Sequence, residues 1–147
     1  MVAEMVGKST SQAGDDVVSH PFYRAYFQCW NEQKYYEAHD VLEHVWLNKD
    51  SEDDNFFKGL IQAAGAFVHL QKNFEQPSHA KHSRRLPPAT RLFELALRNL
   101  QNLPDEFREL DLVHFRKLLA ATREEIIASN FHKNPWSPQT APRLRLG

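Results

Sequence analysis

Apolar residues recur at spacings of three and four along most of the chain, the period of helices packed on one face. Pro21 suits a first helical position, and Phe22, Ala25, Tyr26, Cys29 and Trp30 then share one side. "NEQK" breaks this helix, and a second runs from Tyr35 to about Leu47. The acidic loop "NKDSEDD" follows, with Ser51 and Asp54 spaced as a capping pair. A third helix, about Asn55 to Phe74, is apolar nearly all round and so belongs at the centre. Beyond the loop "EQPSHAKHSRRLPP", a fourth, about Pro88 to Asn102, turns Leu92, Leu95, Ala96 and Leu100 inward. "LPDEF" reads as a turn. The fifth helix takes Asp111 as N-cap and runs to about Ser129 with Leu112, Phe115, Leu119, Thr122 and Ile126 on one stripe. The pattern predicts an all-α, single-domain antiparallel bundle of about five helices over residues 20–130. Residues 1–19 read as a flexible lead, and residues 131–147, with three prolines, as a tail outside the core.

Composition narrows the classes. At 147 residues the chain can bury a core without metals or disulfides as staples. Its 18 basic and 19 acidic side chains nearly cancel, so no global field draws nucleic acid or membrane. Cys29 is the single cysteine, and no apolar run approaches a signal peptide or the ~20 residues of a membrane span. These features imply a cytoplasmic protein with no membrane partner. One local exception to the charge balance stands out. Between Gln76 and Phe93 there is no acid, and Lys81, Arg84, Arg85 and Arg91 stand beside His79 and His82. Such a loop either contacts an anionic partner such as RNA or another polyanion, or is a solvated segment whose arginines pair with acids elsewhere.

Chemistry concentrates in "YYEAHDVLEHVW", residues 35–46. On a helical wheel, Tyr35, Ala38, Val41, Leu42, Val45 and Trp46 form a broad apolar arc. Glu37, Asp40 and His44 fall opposite it, towards solvent. His39 and Glu43, four residues apart, lie at the edge of the arc with Tyr36 and Trp46 beside them. An imidazole and a carboxylate on successive turns can ligate one cation. Equally, the two can satisfy each other, or Glu43 can accept from the Trp46 indole or the Tyr36 hydroxyl. The third helix bears on the choice through its polar stripe, Lys58, Gln62, His69 and Asn73, with Gly59, Gly65 and Ala66 alongside. If the two helices pack as antiparallel neighbours, Trp46 falls near Phe56 or Phe57. His39, Glu43, Gln62 and His69 then face one another.

The run "YYEAHDVLEHVW", followed by "FFKGLIQAAGAFVHLQKN" and "ATRLFELALRNL", resembles domain of unknown function family 309. These are small helical proteins of bacteria and archaea with a His-x-x-x-Glu-x-x-Trp or Tyr hallmark, which in this chain is His39, Glu43 and Trp46. The resemblance spans about residues 22 to 125. It implies a metal site at that hallmark and no defined reaction. Pro88-Ala89 stands where family members usually carry Gly-Ala, after a longer loop. Two function classes follow. One is a metal-binding protein, as a metal-assisted hydrolase or otherwise, holding zinc, manganese or iron through His39, Glu43 and His69. Tyr36, Gln62 and Trp46 would surround that site. The other is a non-catalytic helical module whose working surface is the basic loop at residues 79–91.

Overall fold

The structure, a computed structural model, describes residues 17–47, 53–80 and 84–147, with side chains from Tyr35 to Glu43 in the second helix. Its elements are α1 (Pro21–Asn31), α2 (Tyr35–Leu47), α3 (Asp54–Glu75), α4 (Leu86–Leu100), a two-stranded hairpin β1 (Glu106–Phe107) and β2 (Leu110–Asp111), and α5 (Leu112–Ala128). Of the lead expected at 1–19, residues 1–16 lie outside the described residues, as does Ser51 of the expected capping pair, whereas Val17 is fully buried in the core.

Helix α3 is the centre, packed on α2 along one side and on α4 along the other; α1 packs on α2, and α5 on α4. Its apolar circumference explains this position, since every face except one polar stripe must be covered. The layers close around Trp30 of α1. Its ring meets Phe67 of α3 at 4.8 Å, Tyr35 of α2 at 5.4 Å and Phe115 of α5 at 5.8 Å. The Tyr26 hydroxyl donates to the Leu60 carbonyl at 2.7 Å, so even the buried phenol is satisfied.

Local signals account for the helix ends. His20 caps α1, its Nδ1 accepting from the Phe22 N–H at 3.1 Å, and Pro21 opens the helix. Asp111 caps α5 through the His114 N–H at 3.0 Å, and the stripe Leu112, Phe115, Leu119, Thr122 and Ile126 is buried as its spacing predicts. Two helices are rotated from the expected faces. α1 buries Tyr23, Tyr26, Phe27 and Trp30 rather than Phe22, Ala25 and Cys29, because Tyr23 reaches the rings of Phe56 and Phe57. α4 starts at Leu86, its prolines in the first turn where an N–H is not needed. It buries Phe93, set edge-on to Phe67 at 5.4 Å, and leaves Leu95 38% exposed.

The segment read as a simple turn is the hairpin. Its tip residues Arg108 and Glu109 both have positive φ, 50° and 66°, the pattern of a type I′ turn usually given to Asn-Gly.

The tail is also corrected. Trp136 and Leu144 are each only 4% exposed and belong to the core. The Trp30 indole donates to the Pro142 carbonyl at 3.0 Å. Asn31 donates to the Leu144 carbonyl and accepts from the Leu144 N–H, both at 2.7 Å. Gln33 donates to Pro138 at 3.0 Å and Asn134 to Leu70 at 2.8 Å. Proline-rich composition suggested disorder, but prolines also hold an extended chain rigid and leave its carbonyls free to accept. Here that strap lies across α1, α2 and α3.

Gly59 marks the closest approach of α3 to the end of α4: a Cβ there would lie 2.6 Å from both Cγ and Cδ2 of Leu100, which is fully buried. Alanine improves helix propensity by about 1 kcal/mol, but overpacking against a side chain with no room to move costs about 1–3 kcal/mol. Gly59→Ala is therefore expected to lower the urea midpoint, and a raised midpoint would show that Leu100 can yield.

Candidate functional site

Along α2, Tyr35, Ala38 and Leu42 are fully buried, Val41 is partly covered, and Glu37 and Asp40 are exposed. His39 and Glu43 lie half-buried between the two faces. The side chains of His44 and Trp46 lie outside the described residues, and with them the expected meeting of Trp46 with Phe56 or Phe57. Tyr36 is 64% exposed, and its ring stacks on the His39 imidazole at 6.3 Å with 13° between the planes.

The imidazole reaches α3 at Gly65. A Cβ on Gly65 would sit 3.9 Å from His39 Cδ2 and 3.2 Å from Leu92 Cδ1 of α4. The missing side chain thus leaves the seam where α2, α3 and α4 meet open enough to seat the ring. The His39 Nδ1 in this seam is buried and has no hydrogen-bond partner.

The polar stripe of α3 does not complete the set. The Gln62 carboxamide lies 2.7 Å from that of Asn99 on α4. His69 Nδ1 lies 3.0 Å from Arg85 Nη1, at the start of α4. Lys58 pairs within α3 to Asp54 at 3.6 Å, and Asn73 accepts from Asn134 at 3.0 Å. Gln62 and His69 are thus engaged by residues of α4 and its start, Asn73 by the tail, and Lys58 by its own helix. Among the described residues no group of three or more His, Cys, Asp or Glu side chains could hold a metal ion. His69 therefore does not join His39 and Glu43 in such a group, and Gln62 is engaged by Asn99.

Around His69 the charges are all positive. Burial and the neighbouring Arg85, Arg91 and Lys72 push its imidazole down to about 4. Arg84 and Arg91 are exposed and Arg85 half-buried; Lys81 lies outside the described residues. The His69–Arg85 contact and the solitary His39 nitrogen both escaped sequence reasoning. The acid-free run did single out Arg85, but not the partner it would meet.

These features define a helical bundle with an unsatisfied imidazole at a three-helix seam. Residues 23–79 match the family model "Domain of unknown function (DUF309)". The matched segment carries α2, α3 and most of α1, and ends before α4. An uncharacterized protein of Aquifex aeolicus (strain VF5) is 34% identical over 107 residues, covering 72% of this chain. The alignment takes in 28% of that relative's length, so the chain is similar to one part of a longer protein. No solved structure matches the chain. No helix among the described residues is long and apolar enough to cross a membrane.

Proposed function

We propose that the face of α2 bearing His39 and Glu43 is a ligand site suited to a divalent cation. One observation carries this reading: the buried His39 Nδ1 without a partner. Leaving a buried polar atom unsatisfied costs about 1–3 kcal/mol, and such atoms in a native fold call for a use. With the proton on Nε2, a neutral imidazole offers Nδ1 as a metal donor. Glu43, one turn further along α2, adds a carboxylate oxygen, and zinc, manganese and iron all accept such a mixed set.

The donors present fit some sites and not others. With His69 paired to Arg85 and no third donor among the described residues, the pair does not build a closed structural zinc centre. It fits an ion held by two protein groups with its other positions open. A cation bound there would supply Lewis-acid activation of water or a substrate oxygen, the chemistry of metal-assisted hydrolysis. His39 would orient the ion, the stacked Tyr36 would hold the imidazole plane, and Glu43 would either ligate or accept a proton from water.

The test is metal content and calorimetric titration on protein purified without a His-tag. We expect one zinc, manganese or iron per chain, with affinity reduced on the order of 100-fold in both His39→Ala and Glu43→Gln, equivalent to about 2.7 kcal/mol. The His39 imidazole resonances should shift on titration with zinc or manganese. No metal and no saturable heat in wild type, or equal binding in both variants, would remove the reading.

A further inference from the structure

The strap formed by residues 134–144 makes its hydrogen bonds to one side only. Asn134 donates to Leu70 and Asn73 of α3, and Trp136 to Tyr35 of α2. The Pro138, Pro142 and Leu144 carbonyls accept from Gln33, Trp30 and Asn31. Among the described residues no hydrogen bond joins the strap to α5. A cavity of about 240 Å³ lies between them instead. Phe67 of α3 and Trp136 of the strap, 1% and 4% exposed, form its floor, and Leu118 and Thr122 belong to its α5 wall. Glu125, an exposed residue of α5, stands at its mouth. An apolar hollow with a few polar groups is the usual form of a small-molecule site, and this one is at the small end of the range. It suits a single ring or a short chain, not a nucleotide.

The polar groups of the cavity favour one sign of ligand charge. The Trp136 N–H is spent on the Tyr35 hydroxyl at 3.1 Å, and the Thr122 hydroxyl donates to the Leu118 carbonyl at 2.8 Å. Glu125 keeps its carboxylate free. The positions three and four residues to either side are Ala121, Thr122, Ala128 and Ser129, so its own helix offers it no cation. No ion pair or hydrogen bond among the described residues takes that carboxylate. Its neighbour Glu124, by contrast, pairs with Arg123 at 3.2 Å. We propose that the cavity between α5 and the strap binds an ammonium group carried on a short apolar body. The apolar part would lie against Phe67 and Trp136, where aromatic surface also attracts a cation, and the charge would meet Glu125. A free amine and the lysine side chain of a peptide present the same chemistry. The proposal does not rest on the site at His39.

The test is an NMR titration of the full chain with benzylamine at neutral pH, with EDTA present so that no metal takes up the amine. We expect saturable shifts at the methyl groups of Ala121 and Thr122 and at the Trp136 indole. Benzyl alcohol has the same body without the charge and should bind about ten-fold more weakly, and benzoate more weakly still. Glu125→Gln should bring benzylamine down to the affinity of benzyl alcohol and leave benzyl alcohol unchanged. Its exposed position leaves the fold intact. Ala121→Leu, at another exposed position lining the cavity, fills the space and should weaken both ligands at least ten-fold without lowering the melting temperature. Nα-acetyl-lysine amide distinguishes the sources. Binding tighter than benzylamine marks a peptide side chain, and weaker binding marks a free amine. Shifts that never saturate, equal affinity for benzylamine and benzyl alcohol, or full benzylamine binding in Glu125→Gln or Ala121→Leu would overturn the proposal.

Discussion

Trp136→Ala is expected to cost about 3–5 kcal/mol of stability, the range for deleting a buried tryptophan. The residue lies in the proline-rich tail, yet it is 4% exposed and set edge-on to Tyr35 at 6.0 Å and Phe74 at 5.5 Å. Its indole N–H donates to the Tyr35 hydroxyl at 3.1 Å. Tyr35 in turn stacks on Phe67 at 5.4 Å and meets Trp30, so a cavity at Trp136 opens directly onto the aromatic centre. Removing the indole also takes a partner from the buried phenol and cover from Phe74. For a chain of this size the loss should lower the melting temperature by on the order of 10 °C. Trp136→Phe separates the contributions: it keeps most of the ring packing and gives up one hydrogen bond, worth about 1 kcal/mol. Urea denaturation followed by far-ultraviolet circular dichroism measures both. A peripheral tail would show a Trp136→Ala loss within about 0.5 kcal/mol, as surface substitutions do. That result would show that the strap is not part of the core.

The tail also shows where sequence reasoning stops. The five helices were legible because each carries a long apolar period, and the α5 stripe from Leu112 to Ile126 had no competitor on its own helix. α1 did have one. Tyr26 and Trp30 belong equally to a face with Phe22 and Cys29 and to a face with Tyr23 and Phe27, and only Phe56 and Phe57 of another helix decide between them. In α4 the choice between Leu95 and Phe93 rests likewise on Phe67. The candidate site follows the same logic. The spacing of His39 and Glu43 is local and was readable. Whether the α3 stripe turns to α2 or α4 depends on Asn99 and Arg85, and these contacts exist only once three helices are assembled. The hairpin was least legible of all, since Arg108-Glu109 has neither the glycine nor the asparagine that favours positive φ.

That hairpin is held from a distance, and the second large effect is expected there. Asp53→Ala should destabilise the protein by about 3–5 kcal/mol, the cost of breaking a buried ion pair by removing one partner. Arg108 donates from Nε at 3.1 Å and from Nη2 at 2.6 Å, both to Asp53 Oδ1, and the side chains are 16% and 5% exposed. Asp53 stands at the N-terminus of α3 but makes no side-chain cap there; its carboxylate is committed to Arg108. The guanidinium also lies 4.7 Å from the centre of the Phe107 ring. The Tyr23 hydroxyl donates to the Arg108 carbonyl at 2.8 Å. Burial is the main reason its ionisation is pushed far above the ordinary phenol range, so it remains a donor throughout any practical pH. Together these contacts hold Arg108 and Glu109 in a backbone region most side chains avoid. Arg108→Gly therefore differs from Asp53→Ala. It too strands a buried charge, now Asp53, but glycine relieves the positive φ, returning about 1 kcal/mol. The double variant leaves no unpaired charge and should be less destabilised than the sum of the singles by about 1–3 kcal/mol. Because the pair is buried, 0.5 M sodium chloride should leave that coupling largely intact. Equilibrium denaturation of the four proteins in low and high salt measures it. Additive losses, or a coupling abolished by salt, would mean that the pair acts as an ordinary surface bridge and that the hairpin is held by Tyr23 and Phe107 alone.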